Sequence, residues 1–136
     1  MILLDTNVVS ELMKDMPDPA VDEWFAVNEQ DTAIPAPVIG EIAFGIAKLP
    51  AGAKKRALES RFSEWRVRYA DRTIAFTASA AMLYGAIMAE ALSTRHNMAV
   101  VDGQIAAMAV EQDAVLAMRN IKDFKTASAT LANPWD

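Results

Sequence analysis

The 136-residue sequence has no cysteine, a single histidine and no long hydrophobic run. Without cysteine there are no disulfide bonds, zinc–thiolate sites or cysteine nucleophiles. The lone His96 is no plausible partner for Ser10, which argues against a Ser-His-Asp triad. The longest charge-free stretch, residues 73–89, has 17 residues, whereas a membrane span needs about 20 mostly apolar ones. Because Asp5 interrupts the first apolar run at once, we expect neither secretion nor membrane contact, and a cytoplasmic protein.

Positive charge is also in short supply. The sequence has 18 acidic and 13 basic residues and a formal net charge of −5, an unpromising balance for a nucleic-acid binder, because phosphate contacts need Lys and Arg. The charge is uneven, however, since residues 51–72 carry a net +4 and residues 1–50 a net −7. A basic helix is usually only a solvated face, but it can also contact phosphates. Net charge therefore does not exclude RNA.

Apolar residues, at 53% of the chain, are arranged as short runs that alternate with longer helical patterns. This alternation predicts an α/β fold, and the length and lack of linkers predict one domain over residues 1–136. The predicted strands are residues 2–4, 32–34, 73–76, 98–101 and 114–118. Helices are predicted between them, with Pro19 and Pro37 near two of their starts and a long amphipathic helix over residues 51–70. The residues from 120 onward give no clear pattern.

Isolated acids follow two of the predicted strands. Asp5 and Asp102 each come directly after an apolar run and open a helical pattern. Asp is a good helix N-cap, and capping alone explains either position. In an open parallel sheet, however, the carboxyl ends of the strands border the ligand crevice, so the two carboxylates can also converge there. One carboxylate oxygen can cap while the other faces the crevice.

Glu41 lies early in the Pro37 helix among small and apolar neighbours, with no basic residue within four positions. Its carboxylate must reach solvent, a distant cation or a metal, because burying it unpaired is costly. A fourth polar group follows the last predicted strand, where either Asn120 or Asp123 can point into the crevice. A cluster of oxygen ligands without His or Cys suits Mg²⁺ or Mn²⁺ and argues against zinc.

Four segments, taken in order, resemble the PIN-domain ribonucleases, in particular the VapC-type toxins of bacterial toxin–antitoxin pairs. They are Met-Ile-Leu-Leu-Asp5-Thr6-Asn7-Val-Val-Ser10-Glu11, Val38-Ile39-Gly40-Glu41-Ile42-Ala43-Phe44-Gly45, Val100-Val101-Asp102-Gly103-Gln104-Ile105-Ala106-Ala107 and Arg119-Asn120-Ile121-Lys122-Asp123-Phe124. The closing Asn133-Pro134-Trp135 is similar to the FitB-like branch. Each motif alone is weak, but the four together are specific.

The resemblance implies a PIN-like three-layer α/β/α fold with a central, mostly parallel sheet, and RNA cleavage that depends on Mg²⁺ or Mn²⁺. Asp5, Glu41 and Asp102 match the family's metal-holding acids, and Thr6 matches a supporting hydroxyl. In the implied mechanism Asp5 and Asp102 bind the metal directly, while Glu41 holds it through water or orients the attacking water. The fourth position of the catalytic set, where the family often has Asp, is Asn120 in this chain. Either the nearby Asp123 supplies the missing carboxylate, or the three acids hold the metal without it. Whether one or two metals bind stays open.

The resemblance also implies partners: a cognate VapB/FitA-like antitoxin, a second copy of the chain in a homodimer, and DNA only through the antitoxin. For the RNA substrate, the basic segment offers Lys54, Lys55 and Arg61 as phosphate contacts. The alternative is a non-catalytic α/β interaction module, or a degenerate PIN domain, whose acids only cap helices. In that case its Met-rich and aromatic helical faces would bind a partner helix.

Overall fold

A parallel sheet organises the fold. The computed structural model describes residues 1–124 and 129–136, apart from the side chain of Asp123. The strands are β1 (Ile2–Leu4), β2 (Thr32–Pro35), β3 (Thr73–Ile74), β4 (Val115–Ala117) and β5 (Thr130–Ala132). They lie in the order β3-β2-β1-β4-β5, and every pair of neighbours is parallel.

In the described part of the chain, six α-helices accompany the sheet: α1 (Thr6–Leu12), α2 (Pro19–Asn28), α3 (Ala36–Ala47), α4 (Ala53–Arg68), α5 (Ala78–Ser93) and α6 (Val100–Glu111). Several begin at the signals that the sequence carries. Asp18 caps α2 just before Pro19, and the Thr77 hydroxyl accepts a hydrogen bond from the backbone N–H of Ala80 at the start of α5. The alternation of strands and helices, together with the parallel pairing, confirms the predicted α/β/α class.

The central strand β1 lies in the hydrophobic core and positions Asp5 at its carboxyl end. Leu3 and Leu4 are completely buried, as is Leu116 on β4, which fits the apolar runs expected of a parallel strand covered on both faces. Leu4 pairs with Ala117, and the backbone N–H of Asp5 donates to the Ala117 carbonyl oxygen at 3.0 Å. Asp5 is therefore held at the carboxyl end of the central strand.

The predicted strand over residues 98–101 is wrong. Val100 and Val101 are the first residues of α6, with Ala99 as the N-cap, so Asp102 lies in the first helical turn and not at the end of a strand. Val100 is 57% exposed, so this apolar run is not a buried strand. The run is too short for its period to separate strand from helix. An acid in the first turn also interacts favourably with the helix dipole.

Other predicted element boundaries differ from the observed ones by smaller amounts. Strand β3 stops at Ile74, two residues before the predicted end. The unassigned C-terminal region contains a 3₁₀ turn over Ile121–Phe124 and the edge strand β5. Among the described helices, none has both the length and the apolar character required to cross a membrane.

Candidate active site

Asp5 is the anchor of the candidate site. Its side chain is 6% exposed, and one carboxylate oxygen accepts a hydrogen bond from the backbone N–H of Val8 at 2.9 Å. Asp5 therefore caps α1, as the capping interpretation expects. A cap alone does not need a buried carboxylate, because a solvated Asp performs that role equally well.

The electrostatics of Asp5 show that two other acids are near it. Burial raises its pKa from the ordinary 3.8 to about 7, against the hydrogen bond from Val8 that lowers it. The charges of Asp102 and Glu41 raise the pKa further. Three acids from α3, α6 and the end of β1 are thus brought into one electrostatic cluster, in which two like charges disfavour the ionised form of Asp5.

These three side chains do not already form a closed ligand cage. Within residues 1–124 and 129–136, no group of three or more His, Cys, Asp or Glu side chains is placed closely enough to hold a metal ion. Glu41 is exposed and Asp102 is half-buried, whereas Asp5 is buried and caps α1. The assignment of Asp5, Asp102 and Glu41 as metal ligands remains a prediction.

The chemistry of the neighbouring donors fits a hard divalent cation. Thr6 follows Asp5 directly, and its hydroxyl oxygen is buried with no hydrogen-bond partner among the described residues. A buried polar atom without a partner is costly and calls for an explanation, such as an ion or water. The donors are carboxylate and hydroxyl oxygens, which Mg²⁺ and Mn²⁺ prefer.

A groove of about 570 Å³ begins at Thr6 and Glu41. Its lining includes four basic residues, Lys14, Lys48, Lys54 and Arg61, and apolar side chains from α1, α3 and α4, among them Met13, Phe44 and Leu58. Lys14 and Arg61 already pair with Glu11 and Asp15. The groove therefore combines an acidic end with a basic and apolar wall.

The structure separates the three predicted substrate contacts. Lys54 and Arg61 line the groove, but Lys55 lies in a different depression between α3 and α4, where its ammonium group donates to the Ala47 carbonyl oxygen at 3.0 Å. One residue of difference along a helix turns the side chain by about 100°. Lys55 is therefore not brought to the site.

For the predicted fourth polar group, Asn120 or Asp123, the structure describes the side chain of Asn120 only. Asn120 is exposed and follows β4 by three residues, so it lies beyond the same end of the sheet as Asp5. The side chain of Asp123 lies outside the described residues, and its backbone is part of the Ile121–Phe124 turn.

The structure adds two groove residues that were not predicted from the sequence, Phe44 and Lys48. Their signal was their spacing of three and seven residues from Glu41.

Buried Glu11 serves a structural purpose. Its carboxylate accepts hydrogen bonds from the Lys14 ammonium group and from the backbone N–H of Asp18, both at 3.0 Å. The bond from Lys14, followed by that from Asp18, lowers the pKa of Glu11. Glu11 thus stabilises the turn between α1 and α2 through these two hydrogen bonds.

The sequence was also compared with known proteins. A PIN domain family model matches residues 2–129. The chain is 36% identical to VapC ribonuclease Y4jK of Sinorhizobium fredii, over 100% of this chain and 99% of that protein. It is 33% identical to Toxin FitB of Neisseria gonorrhoeae, over 99% of both. Among solved structures, a FitAB complex bound to an IR36 DNA fragment aligns with a TM-score of 0.88 and 33% identity, over 100% of this chain and 96% of that one.

Proposed function

The chain belongs to the PIN-domain family, and we propose that it is a divalent-metal-dependent ribonuclease that acts as the toxin of a toxin–antitoxin pair. The observation that carries the proposal is the Asp5 carboxylate, whose pKa is raised by its burial and, to a smaller extent, by the nearby charges of Asp102 and Glu41. Acids placed together at such cost are typical of functional sites. The relatives named a VapC ribonuclease and a FitB toxin support the same reaction and role.

Asp5 and Asp102 are the residues that would hold Mg²⁺ or Mn²⁺, with Glu41 near them and the Thr6 hydroxyl in support. When bound, such an ion supplies charge stabilisation for the phosphoryl oxygens and lowers the pKa of water. Burial and, to a smaller extent, the charges of Asp102 and Glu41 raise the pKa of Asp5, so its carboxylate is expected to favour a nearby cation. Asn120 and Asp123 complete the proposed set from the loop after β4, and the number of metal ions stays open.

The remaining steps fall to the chain's own side chains. Glu41, an exposed residue of the groove lining, would orient the attacking water or accept a proton from it. The water oxygen forms a bond to phosphorus, one phosphorus–oxygen ester bond breaks, and the leaving oxygen takes up a proton. Lys54 and Arg61 bind phosphates of the RNA on the groove wall, which fixes the scissile bond relative to the acids.

The same comparisons support the partners. The solved FitAB assembly is bound to DNA, and we propose a cognate VapB/FitA-like antitoxin for this chain, with DNA contacted only through that partner. A homodimer and a cytoplasmic location belong to the same proposal. The acidic centre favours an antitoxin segment that carries a basic side chain.

The direct test is RNA cleavage by the purified chain. We expect cleavage of RNA with Mg²⁺ or Mn²⁺ and none with EDTA. Asp5→Asn and Asp102→Asn should each lower the rate by at least about 100-fold, because each removes one charge from the ion's ligands. The matched control is Asp31→Asn, an exposed acid in the 3₁₀ turn before β2, which should cleave as the wild type does.

The outcomes separate the competing interpretations. Full activity in folded Asp5→Asn and Asp102→Asn would refute the assigned site. A wild-type chain that binds an antitoxin but cleaves no RNA in either metal would favour the non-catalytic interaction module.

A further inference from the structure

One face of α3 runs from the acidic centre into the groove. Glu41, Phe44, Gly45 and Lys48 all line the groove, at spacings of three, four and seven residues that place them on the same side of a helix. The face therefore presents a carboxylate, then an aromatic ring, then an ammonium group in succession. Glu41 belongs to the proposed reaction, but nothing so far explains the ring beside it.

Phe44 is unusual in this chain because its ring is open to solvent. It is 65% exposed, whereas every other Phe, Tyr and Trp is buried or half-buried. Single exposed apolar residues are common on protein surfaces, so exposure alone carries no meaning. Its position does, because the ring stands one helical turn from Glu41 in a groove that also reaches Thr6.

The charges around the ring favour an anionic ligand with a flat apolar part. The Lys48 ammonium group lies 5.3 Å from the centre of the Phe44 ring, and Lys54 and Arg61 line the same groove. Among the described residues neither Lys48 nor Lys54 forms an ion pair. In the described part of the chain, the groove thus holds an exposed ring, one ammonium group over that ring and a second ammonium group without an ion pair. This combination matches a nucleotide, whose phosphate needs a cation and whose base needs a stacking surface.

We propose that Phe44 is a nucleobase-stacking position, and that the unpaired base next to the scissile phosphate lies on its ring while Lys48 and Lys54 contact the adjoining phosphates. The inference rests on the proposed function and assigns one residue of this chain to the unpaired base of the substrate. A paired base cannot reach the ring, because its faces are covered by its neighbours in the duplex. The groove, at about 570 Å³, falls within the size range of small-ligand clefts.

The test compares binding of a short, fluorescently labelled single-stranded oligoadenylate with binding of an RNA duplex of equal length. Binding is followed by fluorescence anisotropy in EDTA. Phe44→Leu keeps apolar bulk without the aromatic face and should weaken oligoadenylate binding by about 5- to 100-fold, the range expected for one stacked base. Phe44→Tyr and Phe44→Trp should stay within about 3-fold of the wild type, because they keep a stacking ring.

Duplex binding should be the same in every variant. The control is Val67→Ala on α4, a residue that is 78% exposed and lies outside this groove; it should leave both affinities unchanged. In cleavage assays Phe44→Leu should raise KM and leave kcat almost unaltered, because stacking is made equally in the ground state and the transition state.

Three results would overturn the inference. The first is oligoadenylate binding by Phe44→Leu that equals the wild type, or a wild type that does not bind oligoadenylate. The second is an equal loss of single-stranded and duplex binding, which would remove the stacking argument. The third is a Phe44→Leu variant that keeps RNA but loses an antitoxin, which would assign the ring to a protein interface. The proposed function is tested separately, by metal-dependent RNA cleavage by the wild type. Loss of that cleavage would refute the proposed function, whereas the binding results above refute only the role of Phe44.

Discussion

Replacing Asp5 with Asn isolates the electrostatic cost of the candidate site. The Asn side-chain oxygen can still accept the hydrogen bond from Val8, so the cap of α1 is kept. What disappears is a buried negative charge that Asp102 and Glu41 repel. In the absence of metal we therefore expect Asp5→Asn to be more stable than the wild type at alkaline pH, and to lose that advantage in acid.

The sign and size follow from the pKa. The folded value of about 7 lies above the ordinary 3.8, so the folded state binds the proton more tightly, and wild-type stability falls as pH rises from about 4 to about 7. Each pKa unit corresponds to about 1.4 kcal/mol, which gives roughly 4 kcal/mol over the whole range. Between pH 5 and pH 8 the two-state titration leaves about 2.5 kcal/mol of that change.

The assay is urea unfolding of both proteins in EDTA at a series of pH values. The free energy of unfolding of Asp5→Asn minus that of the wild type should grow by about 2.5 kcal/mol between pH 5 and pH 8. Asp31→Asn, with its exposed side chain, should show no such change. At pH 8, millimolar Mg²⁺ should then raise the melting temperature of the wild type and not that of Asp5→Asn. A flat difference between pH 5 and pH 8 would refute the reasoning.

Two further predictions concern packing and RNA contacts. A Cβ at Gly103 would lie 2.5 Å from the Met88 sulfur atom, so Gly103→Ala should destabilise the chain by about 1–3 kcal/mol in urea unfolding. Gly85→Ala has open space and should not destabilise; equal stability of the two variants would contradict the packing. Lys54→Gln should weaken RNA binding and lower its salt slope by about 0.7. Lys55→Gln should change neither, and matching losses for the two variants would refute the separation of their side chains.

The sequence was sufficient to predict most of the fold because its local signals agree with one another. The apolar runs at residues 2–4 and 32–34 are strands, and the Pro19 and Pro37 patterns are helices. The failure at residues 98–101 arose where four apolar residues carry no period that distinguishes strand from helix. Strand β5 was missed because it is defined by its pairing with β4, and the segment itself does not contain that information.

Part of the candidate site was predicted from the sequence, and part of it was not. Asp5 and Glu41 were identified from their setting in the chain, and the pKa of Asp5 shows that both lie in one cluster with Asp102. Asp102 was selected on a mistaken strand assignment, and its charge does act on Asp5. The groove could not be predicted, because Lys54 and Lys55 differ only in the helix face that each side chain occupies. The exposure of Phe44 could not be predicted either, because it depends on tertiary packing.

The central claim is that Asp5 and Asp102, with Glu41 near them, hold the divalent ion that supports RNA cleavage. Its most direct test is the rate of RNA cleavage measured against Mn²⁺ concentration for the wild type, Asp102→Asn and the control Asp31→Asn. We predict saturating activation for the wild type and the control, and no activation of Asp102→Asn at any Mn²⁺ concentration that leaves it folded. An Asp102→Asn curve that overlays the wild type, or wild-type cleavage that persists in EDTA, would contradict the account.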